Sequence, residues 1–388
     1  MINNKEEQNM QKIVLLATLV ITVLHISAQT KAEEIKSPIV SEQDADYYAT
    51  QTVLWRDIAR SNPKDEQAWK NYFRAAWYKK WYNQADTTAN DVLREMEQTI
   101  PGSYIYNYAC YRKYMGLDEC HLYAQAAMKQ LPETMDQHDY NIWFCYAAQM
   151  GDEENMERIA KRYYNSGLYS PYVLQYNYNE LQGMEENGIY IGNGDAILVP
   201  KWMMQYAKGL HRDKAIVCMS FLVLKHYREY LFKKLGVEMP EFKEAKTQAD
   251  YDENVFRAVE ALRKGTGRPT YFSTFNGIEI NKPWEDKLYN EGLTLKYSDK
   301  PYDNFKVKRK NAEECYLMEY LIESFSPNKW DSGNRLNANY VVMLSDLLEY
   351  YKENNIKRYK WLHRILTKSL DNCDIEEERK QRYKELIK

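Results

Sequence analysis

A beat of about 35 residues runs through the first half of this sequence and constrains it more than any other feature. The stretches "YMGLDECHLYAQAA" (114–127) and "QMGDEENMERIA" (149–160) each pass from Met-Gly through acids into a helical stripe, and Gly116 and Gly151 lie 151 − 116 = 35 positions apart. Helix-opening aromatics keep the same interval: Trp69, Tyr104 and Tyr140 are separated by 35 and 36. Trp69, Tyr72, Phe73, Ala76 and Trp77 fall at i, i+3, i+4, i+7 and i+8, a single face of a helix. Val92, Leu93, Met96 and Ile100 form a second stripe before Pro101. Cys120, Tyr123, Ala124, Ala127, Met128 and Leu131 form a third before Pro132, and Met156, Ile159, Ala160 and Tyr163 a fourth. A proline just past the last turn ends a helix cleanly. One apolar face per helix must be covered by a neighbour, so the sequence predicts successive two-helix units over residues 46–184.

A period near 34 built from two helices resembles the tetratricopeptide repeat, and three such pairs imply a small superhelix. The first-helix position that this family keeps small holds Trp77, Tyr108 and Phe144 here. Rings of that size predict packing between helices rather than an open groove for an extended peptide. The far end repeats the pattern. Tyr340, Met343, Leu344, Leu347, Leu348 and Tyr351 form one stripe, Leu362, Ile365, Leu366 and Ser369 the next, with "KENNIKR" as the turn. Residues 307–388 are therefore expected to hold a closing helical hairpin and a short charged tail.

Between these regions the period changes. "GIYIGNG" from Gly188 reads as a short strand ended by glycines. "PKWMMQYAKGL" reads as a helix opened by Pro200 and closed by Gly209. "KAIVCMSFL" (214–222) reads as a strand covered on both faces. Helices are expected over Leu224–Lys234 and Glu253–Lys264. A third strand is expected over Arg268–Phe275, and a fourth at an edge over Gly292–Tyr297. The fold class is mostly α with a small α/β unit at 185–306, its sheet three- to four-stranded and partly parallel.

The glycines at 188, 192 and 194 raise the question of a nucleotide loop. A dinucleotide fingerprint counted from Gly192 needs a third glycine where Ile197 stands, no Gly-Lys-Ser/Thr follows, and the second strand ends in Ser220-Phe221 without a ribose-binding acid. No cofactor is expected. Asp195, His211 and Ser220 lack the elbow of a hydrolase triad. His121 and His226 have no partner at metal spacing, so no metal site is expected.

The same stretch carries a second resemblance. Asn193-Gly194-Asp195, Pro200, Trp202, Gln205, Gly209, Arg212-Asp213 and Ser220-Phe221-Leu222 are similar to the soluble C-terminal region of bacterial membrane proteins with a protein-mannosyltransferase-like front half. Arg268-Pro269-Thr270-Tyr271-Phe272 and Gly292-Leu293 continue it, over roughly residues 185–370. In that family a second acid commonly follows the aspartate two residues later, where Ile197 stands here. The membrane-embedded half is absent, so the resemblance implies a fold and an envelope setting, not transferase activity.

The N-terminus reads as an address. Lys12 precedes the apolar run Ile13–Leu24 and then "HISAQ", a signal peptide over 1–28 expected to be cut after Ala28. The run is short of the roughly 20 residues that a membrane span needs. Residues 29–45 are polar and unpatterned, the composition of a linker. The exported chain is expected in the periplasm or outside the cell. Six cysteines with no CxxC spacing could pair in that compartment or sit as small buried apolar residues. The formal charge of −3 excludes the strongly basic total of a nucleic-acid reader. The 35 tyrosines suit half-buried helix surfaces, with apolar rings and polar tips.

The sequence thus points to a non-catalytic interaction or scaffold protein of the bacterial envelope. It would bind a protein partner or a glycan through the repeat face and a loop with Asn193, Asp195, Trp202 and Gln205. The alternative is a carbohydrate-active hydrolase or transferase of the envelope using Asp195.

Overall fold

The computed structural model describes residues 31–38, 41–276, 278–323 and 333–388. The expected signal peptide and its cut after Ala28 lie outside the described residues. The chain is mostly α-helical with a small α/β unit built on a five-stranded sheet. It divides into two compact units, the first ending at Pro132 and the second running from Glu133 to Lys388.

In the first unit, helices α1 (Ala45–Ser61) and α2 (Glu66–Tyr82) pack against each other. Helix α3 (Thr88–Thr99) follows, then α4 (Tyr104–Tyr114) packed on α5 (Cys120–Met128). Carboxylate or hydroxyl side chains set the starts: Asp44 accepts from the Tyr47 amide, Asp65 from Ala68 and Ser103 from Tyr106. The predicted stripes are the buried faces, with Trp69, Tyr72, Phe73, Ala76, Val92, Met96, Ala124 and Ala127 in the core. Tyr108 is buried edge-on to Phe73, and half-buried Trp77 stacks on the same ring.

Residues 31–37 differ from the expected free linker. The Ile35 amide donates to Asn71 Oδ1 at 2.9 Å, Arg74 donates to the Ile35 carbonyl at 3.2 Å, and Ile35 is buried. Gln51 accepts from the Glu33 amide and donates to the Lys31 carbonyl, and Trp55 donates to the Glu33 carbonyl. Helix side chains satisfy this extended segment, so it carries no periodicity of its own.

The second unit opens with α6 (Gln137–Met150) and α7 (Glu153–Asn165), capped by Asp136 and Asp152. Helix α8 (Pro171–Gln182) follows, capped by Ser170 with Pro171 at its first position. Then come β1 (Ile189–Gly192), α9 (Asp195–Lys208), β2 (Ala215–Cys218), α10 (Lys225–Leu235), α11 (Gln248–Thr266), β3 (Thr270–Ser273), β4 (Leu288–Asn290) and β5 (Thr294–Tyr297). Helix α12 (Asn304–Lys310) leads to the hairpin of α13 (Gly333–Asn354) and α14 (Ile356–Asn372), and α15 (Glu377–Glu385) ends the chain.

Helix α9 packs on α6, α7 and α8, and α8 packs on α13. The helices between 133 and 184 therefore share a unit with the sheet, rather than ending a separate repeat domain at 184. Strand order is β2-β1-β3-β5-β4. β1 runs parallel to β2, pairing Ile189 with Ala215 and Gly192 with Cys218, and parallel to β3, pairing Ile191 with Phe272. β5 is antiparallel to both β3 and β4. The expected edge strand is thus internal, and β4, with only three residues, forms the edge on that side, opposite β2. β1 and β3 are buried along their whole length, as strands covered on both faces are, and β3 buries the polar Thr270 and Ser273 at its two ends.

Helix α9 starts five residues earlier than expected, with Pro200 inside it. Its ring removes the bond that would reach the Ala196 carbonyl, at a cost of about 3 kcal/mol. Burial of Leu198, Val199, Trp202 and Met203, each worth about 1.5–3 kcal/mol, outweighs that loss.

Candidate functional site

The chain leaves β1 toward β2 on one side and leaves β3 toward β5 on the other. In an open sheet with this order, ligands favour the crevice outside the carboxyl ends of the strands at the reversal. Gly192, Asn193, Gly194 and Asp195 stand there. Gly194 has φ +94° and sits at the start of α9. A Cβ at Gly192 would lie 2.7 Å from Leu198 and 2.9 Å from Tyr190, so packing accounts for that glycine without a phosphate.

The two predicted polar residues hold the loop itself. Asn193 Oδ1 accepts from the Ser220 amide at 3.1 Å, tying the end of β1 to the turn after β2. Asp195 is exposed, and its Oδ1 accepts from the Ala196 amide at 2.9 Å. Replacing Asn193 by alanine is expected to cost about 0.5–1.5 kcal/mol, one hydrogen bond, as a shift in urea midpoint.

Nearby side chains are not activated for chemistry. The phenols of Tyr163 and Tyr169 both reach Asn141 Oδ1, at 3.2 and 3.4 Å, and their rings stack with centroids 4.7 Å apart. Burial pushes the Cys145 thiol well above its ordinary value, and the charge of Asp195 adds to that. Burial likewise raises the Cys218 thiol, whose Sγ lies 3.2 Å from Ser220 Oγ. A nucleophilic cysteine needs the opposite shift.

Trp202 and Gln205 do not join this loop. Ten residues of helix separate Asp195 from Gln205, an advance of about 15 Å. Gln205 instead donates to the carbonyls of His211 and Lys214, at 2.7 and 2.8 Å, closing the turn that precedes the amino end of β2. Trp202 packs between Phe144 and Phe221. His211 belongs to that same turn, in the left-handed region at φ +53°, and burial lowers its pKa. His211 and Ser220 thus flank opposite ends of β2.

A different constellation lies within the unit. Lys201 of α9 and Glu180 of α8 are 0 % and 1 % exposed, with Nζ 2.6 Å from Glu180 Oε2. The ammonium also reaches Asn177 Oδ1 at 2.5 Å and the Ile197 carbonyl at 3.0 Å, and lies over the Tyr190 ring at 4.5 Å. Tyr190 donates to Glu180 Oε1 at 2.9 Å. Burial raises the carboxyl and lowers the ammonium, pressing both toward neutrality, and their mutual attraction opposes it. The sequence signal was a lone lysine inside the apolar run "AILVPKWMM". Glu291, in the β4–β5 turn, is another buried acid with a raised pKa, caused first by burial. It accepts from Tyr302 at 2.6 Å, and Lys296 lies 3.8 Å away.

Among the described residues, no three His, Cys, Asp or Glu side chains gather as a metal site, and no helix is long and apolar enough to cross a membrane. Among the described residues, Cys110, Cys120, Cys145, Cys218 and Cys315 form no disulfide. Comparison with known proteins returns no matching family model, no matching curated protein and no matching solved structure.

Proposed function

We propose that this chain is a non-catalytic binding protein of the bacterial envelope that engages a protein partner or a glycan. The observation that carries this reading is the state of Asp195, whose carboxylate bonds, among the described residues, to the neighbouring Ala196 amide alone. General acid–base work on a glycosidic bond needs two carboxyl groups about 5–9.5 Å apart across the substrate, and among the described residues no second acid is bonded to this one. Val223 and Leu224, exposed at the end of the turn that follows β2, offer apolar side chains to a partner. In the first unit, Trp81 and Tyr82 at the end of α2 are also exposed. The envelope setting rests on the apolar run Ile13–Leu24 and on the resemblance over residues 185–370.

The test incubates the chain from Gln29 onward with purified cell-wall glycan and, separately, with envelope extract. Co-sedimentation or partner recovery without release of reducing ends is expected, and the Asn193→Ala, Asp195→Ala double variant should bind several-fold more weakly. Reducing ends that appear with the parent chain and vanish with Asp195→Asn would establish the hydrolase instead. Equal recovery of every partner by the double variant would remove the loop from the account.

A further inference from the structure

A cavity of about 250 Å³ opens at the amino end of β2, a strand's length from the Asn193 loop. Its walls come from the start of α7, from α9, from the turn at Arg212–Ile216 and from α10. We propose that it binds one carboxylated sugar ring, a uronate, with the carboxylate held by Arg212.

Charge gives the first argument. The two acids at the wall are already engaged. Glu153 pairs with Lys234 and accepts from Tyr230, while Asp213 pairs with Lys214 and accepts from the Asn187 amide. Among the described residues, Arg212 and Arg268 remain as cations without a carboxylate at hydrogen-bond distance. Arg268 gives Nε and Nη2 to the carbonyls of Asn187, Gly188 and Asp213. Among the described residues Arg212 gives only Nε, to the Gln205 carbonyl at 3.0 Å, which leaves both terminal nitrogens for a ligand. The nearby carboxylate of Glu157 is itself paired with Lys161. A guanidinium with two free donors favours a bidentate carboxylate.

Hydrogen bonding gives the second. Gln205 Nε2 donates to both His211 and Lys214 carbonyls, so the amide is fixed and its Oε1 has no partner among the described residues. That acceptor calls for a donor on the ligand, which a bare carboxylate lacks and a hydroxylated ring supplies. Trp202, Tyr227 and Met156 give the apolar walls on which such a ring lies. The volume falls below the roughly 300–1,000 Å³ of sites for larger ligands, which suits one ring rather than a chain.

The proposal deepens the glycan-binding reading and rests on it. Calorimetric titration at low ionic strength, with D-glucuronate and D-glucose as probes, tests it. Saturable glucuronate binding is expected, about tenfold or more tighter than glucose, and Arg212→Met should weaken it about tenfold, the share of one bidentate pair. Arg212 is exposed, so the variant should melt with the parent chain. No saturable binding, equal affinity for glucose, or full affinity in Arg212→Met would overturn the proposal. Such a result beside intact co-sedimentation with cell-wall glycan would discard the cavity alone and leave the binding function standing.

Discussion

Lys201→Met is expected to lower the unfolding free energy by about 3–5 kcal/mol, the cost of leaving one member of a buried ion pair uncompensated. Lys201 and Glu180 are excluded from solvent, and the ammonium also serves Asn177 and the Ile197 carbonyl. In the variant the Glu180 carboxylate keeps only the Tyr190 hydroxyl. Burial already raises this carboxyl, and losing the ammonium raises it further. A raised folded-state pKa contributes stability that is fully present below the unfolded value, about 4.3, and lost as pH rises through the folded value. The deficit of Lys201→Met should therefore be smallest near pH 4 and widen toward neutrality. Urea titrations across that window measure it. Adding Glu180→Gln removes the charge while still accepting from Tyr190, so the double variant should be more stable than Lys201→Met at pH 7. A deficit independent of pH would mean that the pair carries no buried charge.

The second large effect is expected at Gly151. Its φ of +65° is a conformation that side chains rarely adopt, and a Cβ there would lie 2.3 Å from the Tyr230 ring. Gly151→Ala combines backbone strain of about 1–3 kcal/mol with overpacking of about 1–3 kcal/mol. Gly116, its counterpart 35 residues earlier, has φ +95° but open space where the Cβ would go, so Gly116→Ala carries the backbone part alone. Thermal melts of the two variants separate the contributions. Adding Tyr230→Ala to Gly151→Ala should recover the steric part. Equal losses at the two glycines would show that the Tyr230 contact costs nothing.

The helical stripes were legible because a helix buries one face at fixed spacing: Met156, Ile159, Ala160 and Tyr163, or Leu362, Ile365 and Leu366, are buried as their intervals require. Tertiary forces hid the rest. The start of α9 was displaced because Pro200 looked like a helix opener, whereas burial around it outweighs the lost bond. β4 was invisible because Leu288-Tyr289-Asn290 is too short to alternate, and only β5 makes it a strand. Of the four candidate loop residues, Asn193 and Asp195 do stand at the strand ends. Gln205 does not, since nearness in sequence along a helix is distance in space. The Glu180–Lys201 pair joins residues 21 apart on different helices, a relation that no local spacing encodes.

The three-residue outer strand has a consequence for how the protein behaves in a crowded compartment. A sheet recruits foreign chains through the free amides and carbonyls of its rim, and a long flat rim is a template for fibrils. Here that margin is clipped to Leu288–Asn290, with Lys287 just before it paired to Asp299 and Tyr289 packed on Tyr302. A passing unfolded polypeptide finds almost nothing there to zip onto, so this side of the sheet resists coaggregation without a chaperone to shield it.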